Sequence, residues 1–174
     1  ESQHFYHWAS MFAADIARAH DDVLYHSSRG LGLGHRLGNE RFAGFFTHLR
    51  ALTLQKVGRF DEAIALLKDQ IAQTQIIDES TTCSYVENLN TLGFVQWHKE
   101  LVSLEAQSTT SIETFEQAAT LAPKLCTQGV FKHEITNSHL NLAMAFMSQG
   151  QLLEASKWLN HIEISPTHLQ LHQQ

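Results

Sequence analysis

The sequence predicts an all-α domain, and three observations carry that prediction. Apolar residues recur at three- and four-residue spacing along most of the 174 positions, the period of an amphipathic helix. No stretch alternates apolar and polar residues in the manner of a half-buried strand. A helix–glycine–helix signature near the C-terminal end, Asn141-Leu142-Ala143, Phe146, Gly150 and Glu154-Ala155, is met again upstream without a gap. There Ala51, Gly58 and Glu62-Ala63 stand 92 positions before Ala143, Gly150 and Glu154-Ala155.

In chain order, Glu1 to Ala19 reads as a first helix, with Phe5, Trp8, Phe12 and Ile16 on one face. Asp21 or Asp22 caps a second that runs to Leu37 and is ended by Gly38-Asn39. Gly30, Gly32 and Gly34 interrupt it at about 1 kcal/mol each against alanine. The run invites a phosphate-loop reading, but no Gly-Lys-Ser/Thr follows and no strand precedes. Close helix contact is the preferred explanation. Arg41–Val57 and Phe60–Gln75 form the next pair, turned at Gly58, where glycine takes a left-handed conformation at little cost. Asp78 to Thr82 reads as a polar turn. Ser84–Lys99 and Thr109–Ala122 form a third pair, with Ser108, Thr109 or Thr110 as cap candidates and Pro123 closing it. Its copy of the signature is Thr91-Leu92-Gly93, Ser111, Phe115 and Ala118, without the turn glycine. The last pair is Lys132–Gln149 and Leu152–Ile164, with Leu159 and Ile162 on the buried face and Pro166 as terminator. About eight helices result.

This recurring unit resembles the tetratricopeptide repeat, a helix-turn-helix module that stacks into a superhelix. Spacings of 42 and 50 residues between Ala51, Gly93 and Ala143 exceed the usual length of about 34. Long-helix variants, such as the superhelical domain of the maltose-regulon transcription activator, are the nearer likeness. The resemblance implies a right-handed superhelix of about four pairs, at 3–38, 41–76, 82–123 and 131–165, with 166–174 starting a further helix. It is one domain in which each pair meets chiefly its neighbours. Glu1 is not methionine, and the pattern after Pro166 stops. The chain therefore reads as an excised piece of a larger protein or a mature product.

Composition excludes several functions. A net charge of −6 leaves no basic footprint for nucleic acid. No apolar run reaches the roughly 18 residues of a membrane span. The 2 cysteines, Cys83 and Cys126, do not make a disulfide framework and read as free thiols in a cytoplasmic protein. The 12 histidines raise the question of a metal. His4/His7 and His168/His172 have pairwise spacing but lack the third ligand a site requires. No cofactor motif and no nucleophile–base constellation stands out, so no enzyme activity is expected. Asp61-Glu62 and Glu154 suit the positive ends of helices.

The resemblance places ligands on the concave face, lined by the first helix of each pair. Carried across the matched stretches, that face holds Phe45, His48, Leu52, Gln55 and Lys56. It continues with Glu87, Asn90, Phe94, Trp97 and His98, and then with Asn137, Leu140, Met144, Met147 and Ser148. Methionine and aromatic groups suit adaptable docking of an apolar helix; packing against neighbouring turns accounts for the same side chains. Lys56, Asn90 and Asn137 are too few for the clamp with which some family members grip a peptide's C-terminal carboxylate. The expected function is a non-enzymatic scaffold for a peptide, a protein or a flanking segment of its own parent. By the same resemblance, that parent is a signalling or transcription-regulating protein. A domain sensing a small effector is the rival reading.

Overall fold

A computed structural model describes residues 7, 9, 10, 13, 19–74, 79–103, 108–126 and 133–162. These residues form an all-α protein of seven helices: α1 (His20–Arg36), α2 (Glu40–Lys56), α3 (Phe60–Gln73), α4 (Glu79–Ser103), α5 (Thr110–Leu125), α6 (His133–Ser148) and α7 (Leu152–Leu159). No strand occurs among them. His7, Ala9, Ser10 and Ala13 are helical. The expected first-helix face of Phe5, Trp8, Phe12 and Ile16 lies outside the described residues, as do His4, Pro166, His168 and His172.

Each helix packs on the next, and α2, α4 and α6 also lie side by side in a row. The core is accordingly a string of local clusters rather than one centre. Val23 and Phe46 join α1 to α2. Ala51, Leu54, Ala63, Leu67, Leu92 and Val95 join α2, α3 and α4. Phe115, Leu142, Ala143, Phe146 and Ala155 join α5, α6 and α7. Close approach explains the awkward glycines. A Cβ on Gly30 would enter the Phe46 ring, and one on Gly34 would lie 2.9 Å from the Ala43 backbone nitrogen. Gly32 has open space beside it.

Three turns share one design. Gly38 has φ of 61°, its N–H donates to His35 O and Asn39 N–H donates to Gly34 O. Two later turns repeat this. Gly58 and Gly150 have φ of 79° and 73°. Gly58 N–H donates to Gln55 O and Arg59 N–H to Leu54 O; Gly150 N–H donates to Met147 O and Gln151 N–H to Phe146 O. These are the paired bonds of a Schellman cap, which satisfy carbonyls left over at a helix end. The two later turns stand where the repeated signature places them. Asn39, read as ending α1, also caps α2 by accepting from Phe42 N–H at 3.1 Å.

Several expectations are corrected. Helix α4 begins at Glu79 instead of Ser84 and runs to Ser103. Buried Cys83, bonded to Cys126 at the end of α5, fastens the first turns of α4 there, and tertiary packing overrides the turn-like local composition. Helix α5 passes through Pro123 to Leu125, with Cys126 N–H reaching Ala122 O. At the α5 start Thr109 makes no side-chain cap bond, and Ser108 Oγ accepts only the Thr110 N–H, at 3.4 Å. Glu100, from α4, accepts from Ser111 N–H at 3.1 Å and Ser111 Oγ at 2.5 Å. Helix α7 stops at Leu159, after which His161 and Ile162 N–H bond three residues back. Leu159 is exposed and only Ala155 of α7 is fully buried. Cys83 and Cys126 are not free thiols: they are joined in a disulfide, with Cα atoms 5.4 Å apart.

Candidate functional site

The row of α2, α4 and α6 lines an open cavity of about 330 Å³. Helix α2 supplies His48 and Leu52, one turn apart. Helix α4 supplies Glu87, Asn90, Thr91 and Phe94, again at three- and four-residue spacing. Helix α6 supplies His133, Glu134, Asn137 and Asn141. Helical periodicity alone puts each set on one face, and the packing of the row turns those faces toward one another.

The wall is half polar, with Leu52 and Phe94 on its apolar part, and hydrogen bonds fix the polar groups. Thr91 Oγ1 donates to Glu87 O at 2.8 Å, which commits its only proton. His48 Nδ1, 2.6 Å from Thr91 Oγ1, is therefore the donor in that contact, and Nε2 remains a lone-pair acceptor. Asn90 Nδ2 donates to Glu134 Oε2 at 3.2 Å and to Ser138 Oγ at 2.8 Å. His133 Nε2 lies 2.7 Å from Glu134 Oε1, and Asn137 Nδ2 reaches the same oxygen at 3.5 Å. Asn90 is 6% exposed, yet its Oδ1 meets no donor among the described residues.

Burial sets the electrostatics. It pushes the His48 imidazole down to about 4, against a smaller opposing pull from Glu134, so the ring is neutral at physiological pH. Burial raises the Glu87 carboxyl, with His133 and Arg41 partly offsetting it. Burial also raises Glu134, and the like charge of Glu87 adds to the effect. His133, the Asn90 hydrogen bond and His48 oppose that rise. Two carboxyl groups whose ionisation is resisted, facing one cleft, are the kind of perturbation found at functional sites.

Of the residues the sequence placed on the concave face, His48, Leu52, Glu87, Asn90, Phe94 and Asn137 come together here. Others sit elsewhere. Phe45 packs beside Val23 and Phe46. Gln55 and His98 pair with each other across α2 and α4. Trp97 is half-buried against the α5–α7 core and donates from Nε1 to Ser148 Oγ at 2.9 Å. Lys56 is exposed. Leu140, Met144 and Met147 are exposed on α6 and do not line the cavity. Sequence reasoning passed over His133 and Glu134. They lie four and three residues before Asn137, so extending that helix face by one turn finds them.

Outside the cavity, Asp61, Glu62 and Glu154 at helix starts are paired, Glu154 with Lys157. Glu62 binds Arg59, and Asp61 of α3 accepts from Lys99 of α4 at 2.7 Å. Among the described residues, no group of three or more histidine, cysteine or acidic side chains is placed to hold a metal ion. No helix of the described residues is long and apolar enough to cross a membrane. No family model, curated protein or solved structure matches this chain.

Proposed function

We propose that the chain is a non-enzymatic binding scaffold of tetratricopeptide-like pairs, whose inner helices α2, α4 and α6 present a site for a peptide or protein. The observation that carries this reading is the convergence of side chains from three successive inner helices on one cavity. A stack in which each pair meets its neighbours gives such a shared surface. The matching caps at Gly58 and Gly150 support the repeat reading and, with it, the right-handed superhelix. Buried Thr91 is committed to its own helix, which favours a structural hydroxyl over a nucleophile. The site differs in kind from the apolar groove of the sequence reading: amides, carboxylates and imidazoles suit a polar anchor residue. A regulatory place within a signalling or transcription-regulating parent remains part of the proposal by analogy with the resembled family.

The buried disulfide fits an oxidising compartment better than the cytoplasm expected from two thiols. A second reading, a small-effector sensor, is favoured by the cavity's size, which falls near the lower end of small-molecule sites, roughly 300–1,000 Å³. Photo-crosslinking separates the two. A crosslinker at Asn137 should trap a protein that one at exposed Glu116, on α5, does not. Equal trapping from both positions would oppose the scaffold reading, and a small molecule retained in native mass spectrometry would favour the sensor.

A further inference from the structure

We propose that the α2–α4–α6 cavity takes an organic cation bearing N–H donors, an ammonium or guanidinium group, held between Glu87 and Glu134. This deepens the scaffold reading and rests on it: the cation would be a lysine or arginine side chain of the bound segment.

The cavity offers acceptors without matching donors. His48 Nε2 is a bare acceptor because Nδ1 is committed to Thr91. Asn90 Oδ1 is buried in the wall with no donor among the described residues, and a buried acceptor left unsatisfied costs about 1–3 kcal/mol until something donates to it. Among the described residues Glu87 receives no side-chain hydrogen bond, and the charges of His133 and Arg41 favour its ionised form. Glu134 has Asn90, Asn137 and the partly exposed His133 around its oxygens. A group with several N–H donors and one positive charge answers each of these needs. An anion would face two carboxylates, and an apolar group would leave Asn90 unsatisfied. The volume accommodates an alkylammonium or alkylguanidinium.

Proton linkage follows. The titratable and charged groups facing the two carboxyls are Arg41 and His48 from α2 and His133 from α6. Burial raises both carboxyls above their ordinary value, and the charge of Glu87 adds to the rise at Glu134. A bound cation favours their ionised forms, so binding releases protons and affinity falls as the solution is acidified.

The test uses nuclear magnetic resonance titration of the whole chain with four probes: acetyl-Ala-Lys-Ala-amide, its arginine and norleucine counterparts, and n-butylammonium. The lysine or arginine peptide should shift the signals of His48, Asn90, Asn137 and Asn141, and the norleucine peptide should not. Glu87→Gln should weaken the cationic peptides by about ten- to a hundredfold. The same variant should melt at an equal or higher temperature, since it removes a half-buried charge that accepts no side-chain hydrogen bond among the described residues. Loss of binding through misfolding would lower the melting temperature instead and would overturn the assignment of Glu87. Equal response to the norleucine peptide, or none to either cationic peptide, would overturn the cation site while leaving the scaffold reading to the crosslinking result. If n-butylammonium binds as well as the peptides, the cation stands and the scaffold reading fails in favour of a small-amine sensor.

Discussion

Cys83, near the start of α4, is bonded to Cys126, the residue that ends α5. Both are buried, and the bond closes 43 positions of chain. On the chain-entropy account such a loop contributes between about 3 and 5 kcal/mol. Thiol titration under denaturing conditions should find no free thiol before reduction and both cysteines after it. Reduction, or a Cys83→Ala/Cys126→Ala double variant, should lower the melting temperature clearly. Two free thiols in protein purified under air would show that the pairing is wrong.

The two matched caps predict matched sensitivities. Gly58→Val forces a β-branched residue into the left-handed region, at about 1–2 kcal/mol or more, and Gly150→Val should cost about as much. Ala143 has no exposed surface, so Ala143→Leu should overpack the α5–α7 core by roughly 1–3 kcal/mol. Urea unfolding curves measure all three. A neutral Gly58→Val would mean that the turn has another conformation.

Trp97 should behave as a packing residue. It bridges α4 to α6 through Ser148 and leans on the core formed by Phe115 and Leu142. Complete loss of a buried aromatic costs roughly 3–5 kcal/mol, and for this half-buried ring about 2 kcal/mol is expected from Trp97→Ala. Binding at the cavity should persist in the folded fraction. Lost binding with an unchanged melting temperature would instead make Trp97 part of the site.

His48 makes a signed prediction for acid. Its folded-state value of about 4 lies below the ordinary 6.5, so the unfolded chain binds the proton more readily. The stabilisation is complete above about pH 6.5 and is lost as the pH falls toward 4, by an amount on the order of 3 kcal/mol. Glu87 and Glu134 act in the opposite sense, since acid relieves the cost of their burial as the pH falls through their raised values. The difference between wild type and His48→Gln isolates the imidazole. Wild type should lose ground to the variant between pH 6.5 and 4, and a flat difference would mean that the ring is solvated.

The helices, the glycine turns and the small residues at crossings were legible because they are local. Spacing places Ala51, Ala63, Ala143 and Ala155, and the left-handed glycines announce themselves by position. The cavity was half legible. The face of α4 carrying Glu87, Asn90 and Phe94 follows from period, but its polarity depends on which residues of α6 stand opposite. Glu134 reads in sequence as an ordinary first-turn acid; only tertiary packing makes it a buried one. The same is true of Cys83 and Cys126, whose separation gives no hint that the helices bearing them bring them together.

Glu100 supplies the middle pair with a junction of another kind than the glycine turns. Where the outer pairs rely on a left-handed glycine, α5 is held by a carboxylate from α4 that grips its first turn. The covalent connection is thereby relieved of setting the angle between the two helices. Such a joint tolerates insertion: extra residues between Ser103 and Ser108 should leave the stack's pitch unchanged, whereas one added at Gly58 or Gly150 would rotate everything beyond it.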